Sequence, residues 1–394
     1  MQSLTRLFAD DSSLAATGNN VSDIETKLNS DLQNVSTWAK TWLVDFNPSK
    51  TEVLFISKTI YNKPKLFFDN KELGFVDSHK HLGVTLCDDG KWHQHIQCIT
   101  SSASKILGTM RALKYSLNRN TLNHIYVAFL RPVLEYASIV WDNCTEYDKA
   151  DLERIQYEAA RTITGLTKSV SNAKLLKEIG WITLEKRREM QKLLFIFKYK
   201  LGLTPAYIND IIPPLVNEIS TYNLRNSNNF VTLPQRTSLY ASSVIPSCTV
   251  LWNNLEQDIK NSDSLNSFKT KLNSKFYSLK SPEIFSYGQR CSQIYHARIR
   301  NNCSNLNADL FNNFLKASPE CPCGDTYEDA EHFFFKCPLY STERLNLFIH
   351  TRQYHPLSVD KLCFGISGNH ENDNKNLFAY VHRFIKDTKR FTTE

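Results

Sequence analysis

The stretch LTRLFADDSSLAA, residues 4–16, places two aspartates, Asp10 and Asp11, between two short apolar runs near the start of the chain. Runs flanking a polar pair in this way predict a β-hairpin with the carboxylates at its tip. Adjacent carboxylates repel unless a cation lies beside them, and a hard divalent ion such as Mg2+ prefers oxygen ligands of this kind. In two-metal phosphoryl transfer, carboxylates hold ions about 4 Å apart, one activating the attacking oxygen and one stabilising the leaving oxygen. An acidic pair is equally the ordinary composition of a solvated turn. Asp88–Asp89, followed by Gly90, reads simply as one.

Working outward, apolar positions Val21, Ile24, Leu28, Leu32, Val35, Trp38, Ala39 and Trp42 recur at helical spacing, so Asn20 to Leu43 reads as an amphipathic helix. TEVLFIS (51–57) has strand composition, and HKHLGVTL (79–86) reads as a second hairpin. The next 120 or so residues read as helices. Trp92, Ile96, Ile99, Ala103, Ile106, Met110 and Leu113 mark one, residues 119–141 a second kinked at Pro132, and Asp148 to Leu166 a third. TLEKRREMQKLLFIFKYKLG (183–202) opens on a capping threonine and closes on a glycine. From 205 to 285 the chain is rich in Pro, Asn and Ser, and reads as a connecting region with short elements.

In this order, FADDSSL (8–14), WAKTWLVDFNPSKTEVLFIS (38–57) and HKHLGVTL resemble the second half of a reverse-transcriptase palm of the type carried by jockey-like non-LTR retrotransposons. The resemblance extends, less sharply, over nearly the whole chain. It implies that Asp10 and Asp11 are paired catalytic, Mg2+-binding carboxylates, with Asp10 the more direct ligand. Phe8 stands where the family most often has tyrosine, which keeps the ring and loses a hydroxyl near the primer end; Ala9 is a usual occupant. Asn47, Lys50 and Thr51 match the box after the helix, where Lys50 would assist pyrophosphate departure. Leu82 and Gly83 match the hairpin that grips the primer. The two-metal scheme needs a further carboxylate, which the family takes from an earlier strand, with the fingers earlier still. Only seven residues precede Phe8. The expectation is therefore a truncated polymerase, without the first aspartate, the fingers, half the palm or an upstream endonuclease, and inactive alone. Nothing in the sequence places Asp45, Asp69 or Asp77 opposite the pair.

CPCGDTYEDAEHFFFKC (321–337) supplies Cys321, Cys323, His332 and Cys337. Three thiolates and an imidazole satisfy tetrahedral Zn2+, and a closed four-ligand site is structural, not catalytic. The one-residue gap between the first cysteines is tight, although Pro322 and Gly324 favour a sharp turn; the alternative is reduced cysteines buried without an ion. The resemblance adds a similar Cys-Cys-His-Cys element. It also makes Arg298 and Arg300, just upstream, candidates for nucleic-acid phosphates, to which arginine binds bidentately. Lys186, Arg187 and Arg188, extended by Lys192, Lys198 and Lys200, form a second basic candidate, or else a merely solvated helix face.

Composition sets the frame. The chain has 394 residues and a formal charge of +7, with 41% hydrophobic and 22% charged residues, ordinary for a globular protein that is mildly suited to a polyanion. Only 12 glycines occur, and no glycine-rich phosphate loop is present. The longest apolar stretch, VAFLRPVLEYASIVW (127–141), is interrupted by Arg131, Pro132 and Glu135, so no membrane span is expected. Ten cysteines without a secretory signal point to a reduced, intracellular chain, in nucleus and cytoplasm as a ribonucleoprotein.

The expected fold is α+β in four parts: a partial palm of antiparallel strands plus helices (1–90), a helical thumb-like bundle (91–204), the connecting region (205–285), and a basic helix with a small zinc module (286–394). The expected function is RNA-directed DNA polymerase, with RNA template, DNA target or primer and deoxynucleoside triphosphates as partners. The rival is a non-catalytic RNA/DNA-binding module.

Overall fold

The computed structural model describes residues 2–57, 62–219, 227–232, 234–277, 281–368 and 371–391. Parts of the expected connecting region, at 220–226, 233 and 278–280, lie outside the described residues. The chain divides into two compact units, Met1–Cys98 and Ile99–Glu394.

In the first unit, β1 (Leu4–Phe8) pairs antiparallel with β2 (Asp11–Ala15), in register from Leu4↔Ala15 to Phe8↔Asp11. Ala9 and Asp10 form the two-residue connection, and Ala9 has φ +51°, the positive value that tight hairpin turns require. Helix α1 (Val21–Trp42) is capped by Asn20, whose side chain accepts from Asp23 N while its amide donates back to the Asp23 carboxylate. Asp31 on the buried face of α1 accepts from the backbone N–H groups of Gln2 and Ser3 and from Ser3 Oγ, tying the start of β1 to the helix. Desolvation opposes its ionisation, but those hydrogen bonds outweigh it and hold the carboxyl at about 2.

Beyond α1, β3 (Glu52–Leu54) is shorter than the expected strand and pairs parallel with β6 (Gly74–Val76). β4 (Phe67–Phe68) and β5 (Lys71–Glu72) form a hairpin, as do β7 (Ser78–His81) and β8 (Val84–Cys87). The pairing expected to be wholly antiparallel is thus four two-stranded sheets, one of them parallel. Leu32, Leu66, Phe68 and Leu73 form a small core under α1. Asp88–Gly90 is the turn expected of it: Gly90, at φ +68°, donates to Cys87 O.

The second unit is helical. Helix α2 (His93–Ala112) crosses the boundary and buries Ile99, Ala103, Leu107 and Met110 beyond it. The expected 119–141 helix is broken, but not at Pro132. After α3 (Arg119–Ile125), residues Tyr126–Leu130 form a π turn that widens the ladder where Pro132 has no N–H to give. α4 (Arg131–Glu135) therefore runs through the proline, and the break comes at Ala137, with φ +51°, before α5 (Ser138–Trp141). α6 (Glu146–Thr164) begins with a Thr145–Asp148 capping box and ends at Gly165, φ +78°, where a Cβ would stand 2.7 Å from Ile294. α7 (Asn172–Ile179) and α8 (Leu184–Lys200) follow, the latter capped by Thr183 as its sequence predicts.

The 205–285 segment is more than a connection. Its described helices at Val244–Asn253 and Leu265–Phe276 pack on α8, and Trp252, Phe268 and Leu272 join Leu193, Ile196 and Phe197 in one core. Phe197 and Phe268 stack with centroids 4.0 Å apart. Composition hid this because the Pro, Asn and Ser between them interrupt the helical spacing of the apolar residues.

The Arg290–Arg300 helix carries a buried imidazole pair: His296 Nδ1 lies 3.0 Å from His382 Nε2, and His296 Nε2 contacts Leu362 O at 2.9 Å. Desolvation, reinforced by the Arg300 charge, pushes His296 well below 6.5 and His382 to about 4. Because the folded values lie below the unfolded one, the neutral pair contributes its full stability above about pH 6.5 and loses it as pH falls towards 4. Urea unfolding between pH 4 and 7 should show this slope, and His382→Gln should flatten it. An unchanged slope in the variant would refute the assignment.

Candidate metal centre and acidic hairpin

The Cys321–Cys337 segment folds by two local devices. In the first, Gly324, at φ +95°, donates to Cys321 O, and Cys321 N donates to Asp325 O, closing a turn that brings Cys321 and Cys323 to the same side. In the second, His332–Lys336 forms a π turn closed by Cys337 N donating to His332 O at 2.8 Å. An i, i+5 turn is what places His332 and Cys337 on one face, given the four residues between them. Those intervening residues include Phe333 and Phe334, both fully buried in a core with Leu347, Leu362, Val381 and Phe384.

The result is a cluster in which one ligand atom from each of Cys321, Cys323, His332 and Cys337 lies within 4.8 Å of every other. Cys321 Sγ and Cys337 Sγ are 3.7 Å apart, and Cys323 Sγ is 3.4 Å from His332 Nε2. A tetrahedral ion with bonds of about 2.3 Å to sulfur and 2.0–2.1 Å to nitrogen has edges of about 3.8 Å and about 3.5 Å, which these two pairs match. Desolvation pushes the Cys321 thiol up to about 12 and raises Cys337 as well. An ion must therefore displace protons when it binds.

Around the cluster, Arg344 donates to Phe334 O at 3.1 Å and also to Cys337 O. Glu328 is buried and accepts two 2.8 Å hydrogen bonds from Arg390, plus one from Asn307 N at 2.9 Å. Sequence reasoning missed these supports. Glu328 is one of several acids in the segment, and nothing in its spacing distinguishes it.

The acidic hairpin is different in kind. Asp10 and Asp11 are both exposed at the tip of β1–β2, beside Phe8, which is 63% exposed, and Ala9. Among the described residues, the cysteine–histidine cluster is the one group of three or more potential ligands close enough to hold an ion. Among the described residues, no third carboxylate joins the aspartate pair in such a group. Asp69 is engaged elsewhere, accepting from Ser36 Oγ at 2.5 Å and pairing with Lys40 at 2.9 Å. Lys50 is exposed on a short turn in which its N–H donates to Asn47 O. Leu82 and Gly83, at φ +46° and +84°, are the two-residue tip of the β7–β8 hairpin.

The basic candidates are mostly turned inward. Arg188 is buried and donates to Asp142, which also pairs with Lys192 at 2.5 Å; Arg187 is half-buried and forked onto Glu135. Arg300 is buried against Glu178 at 2.6 Å and lies over the Phe285 ring, and half-buried Arg298 donates to Gly165 O at 2.9 Å. Of the eight, Lys186 and Lys198 are exposed. Arginine's rigid fork suits internal carboxylates and carbonyls as well as phosphate, and nothing in the sequence distinguishes the two uses.

No helix among the described residues is long and apolar enough to cross a membrane. No family model matches the chain, and no solved structure matches it. A 115 kDa protein in type-1 retrotransposable element R1DM of Drosophila melanogaster is 22% identical over 342 residues, which are 86% of this chain and 31% of that protein. A probable RNA-directed DNA polymerase from transposon BS, also of Drosophila melanogaster, is 23% identical over 194 residues, 47% of this chain and 21% of its own length. A retrovirus-related Pol polyprotein from type-1 retrotransposable element R1 2 of Nasonia vitripennis is 21% identical over 356 residues, 86% of this chain and 78% of that protein. The chain is a homologue of proteins encoded by non-LTR retrotransposons of the R1 and jockey type.

Proposed function

We propose that this chain is the part of a retrotransposon reverse transcriptase that follows the first catalytic carboxylate, with a structural Zn2+ site near its C-terminal end. The observation that carries the reading is the likeness to retrotransposon proteins over 86% of the chain. The FADD hairpin supports it, with a two-residue connection that presents Asp10 and Asp11. In the intact polymerase, Asp10 and Asp11 would serve as Mg2+ ligands, Lys50 would face the departing pyrophosphate, and Leu82–Gly83 would contact the primer. Partners on this reading are template RNA, target DNA and deoxynucleoside triphosphates, in a nuclear and cytoplasmic ribonucleoprotein; ten unpaired cysteines are consistent with a reducing compartment. The tetrahedral edges of the Cys321 cluster support Zn2+, and one ion per chain is expected by elemental analysis.

Exposure of Asp10 and Asp11, with no third carboxylate beside them among the described residues, favours a second reading, a nucleic-acid-binding module without catalysis of its own. Primer extension with Mg2+, run beside RNA-binding measurements, separates the two. The chain alone is expected to bind RNA and not extend the primer. Extension abolished by Asp10→Asn would establish the enzyme instead. No affinity for RNA or DNA at low salt would overturn both.

A further inference from the structure

His332 is the ligand whose orientation the backbone does not fix. Its Nε2 faces Cys323 Sγ at 3.4 Å, so Nδ1 points out of the cluster. The ring is buried, and Nδ1 has no formed hydrogen bond. One carboxylate oxygen, Asp325 Oδ2, lies 3.0 Å from it, set aside from the ring's N–H direction. The same residue acts through its backbone, because Asp325 O accepts the Cys321 N–H at 2.9 Å.

We propose that Asp325 is the positioning residue of the metal centre: its carboxylate holds the His332 proton on Nδ1, leaving Nε2 free as the ligand. This rests on the Zn2+ reading above. An imidazole has two tautomers, and only one presents a lone pair to the three sulfurs; a carboxylate beside Nδ1 selects it and raises the basicity of Nε2. Two of the ligand-bearing positions then depend on one side chain and one carbonyl of a single loop residue. A neighbouring acid provides the control. Glu331 is also exposed and adjoins His332 in the chain, but it pairs with Lys336 at 2.9 Å.

The test uses the full chain. Zn2+ affinity is measured by competition with a chromophoric chelator for the native protein and for Asp325→Ala, Asp325→Asn and Glu331→Gln. Co2+ absorption reports whether the three-thiolate tetrahedral set persists. Asp325→Ala should weaken Zn2+ binding about 10- to 100-fold with the Co2+ spectrum retained. Asp325→Asn, whose amide oxygen can still accept from Nδ1–H, should recover much of that loss, and Glu331→Gln should match the native chain. Asp325→Ala binding within twofold of native would overturn the proposal. So would an equal loss in Glu331→Gln, which would reduce the effect to net charge, or an Asp325→Ala Co2+ spectrum showing a lost thiolate. If the native chain itself fails to take up Zn2+, the metal reading falls first, and the native arm reports that separately.

Discussion

A Cys337→Ser chain is expected to lose its metal ion and, with it, the folded state of the C-terminal core. The Cys337 sulfur is fully buried and shares an edge of the cluster with Cys321, and its N–H closes the turn that carries His332. Serine is a harder, less acidic ligand, so the site drops to three donors. Structural Zn2+ sites contribute on the order of 10–16 kcal/mol of apparent binding free energy in small peptides, most of it realised as folding. On the Zn2+ reading that energy would reach the core through Phe333 and Phe334, which lie between His332 and Cys337 and are buried in it. Zn2+ content should therefore fall to near zero, and the thermal transition should broaden or shift down by many degrees. Cys363→Ser is the comparison, since Cys363 is equally buried in that core but outside the cluster. A Cys337→Ser protein with native Zn2+ content and an unchanged melting curve would refute the centre.

Alanine at Glu178 should be almost as damaging without touching the metal. Its carboxylate sits inside the second unit between Arg119 at 2.8 Å and Arg300 at 2.6 Å, with Asn301 Nδ2 donating at 3.1 Å. Burial alone would raise the Glu178 pKa, but the two guanidiniums outweigh it and hold the group below its ordinary value. The stability it supplies is therefore present above the unfolded pKa near 4.5 and lost as pH falls below it. Removing it strands two buried cations, a loss of about 3–5 kcal/mol. Urea unfolding of Glu178→Ala should show that loss, while Zn2+ content stays at one ion per chain. A loss under about 1 kcal/mol would show that the arginines find other partners.

Local signals were legible and their tertiary use was not. The Thr183 cap, the β1–β2 and β7–β8 hairpins and the Cys321, Cys323, His332 and Cys337 cluster could be read from spacing, because each is decided within a few residues. Pro132 misled because the π turn at Tyr126–Leu130 absorbs it, a device with no sequence signature of its own. The 205–285 segment misled because its core residues, Trp252 and Phe268 among them, come from several short helices rather than from one periodic stripe. Arg188 and Arg300 misled because a cation in the sequence carries no mark of its partner; Asp142 and Glu178 lie 46 and 122 residues away.

The inward-facing arginines carry a further consequence. Arg290, buried on the same helix as Arg300, spends its guanidinium on the carbonyls of Lys114, Thr162 and Ile163. An approaching polyelectrolyte can pair directly only with cations at the surface, so the formal +7 does not measure how many contacts it can make. Each phosphate neutralised contributes about 0.7–0.9 to the slope of log affinity against log ionic strength. Among these arginines, the charges are spent as internal mortar, and the counterions released on nucleic-acid contact must come from other side chains.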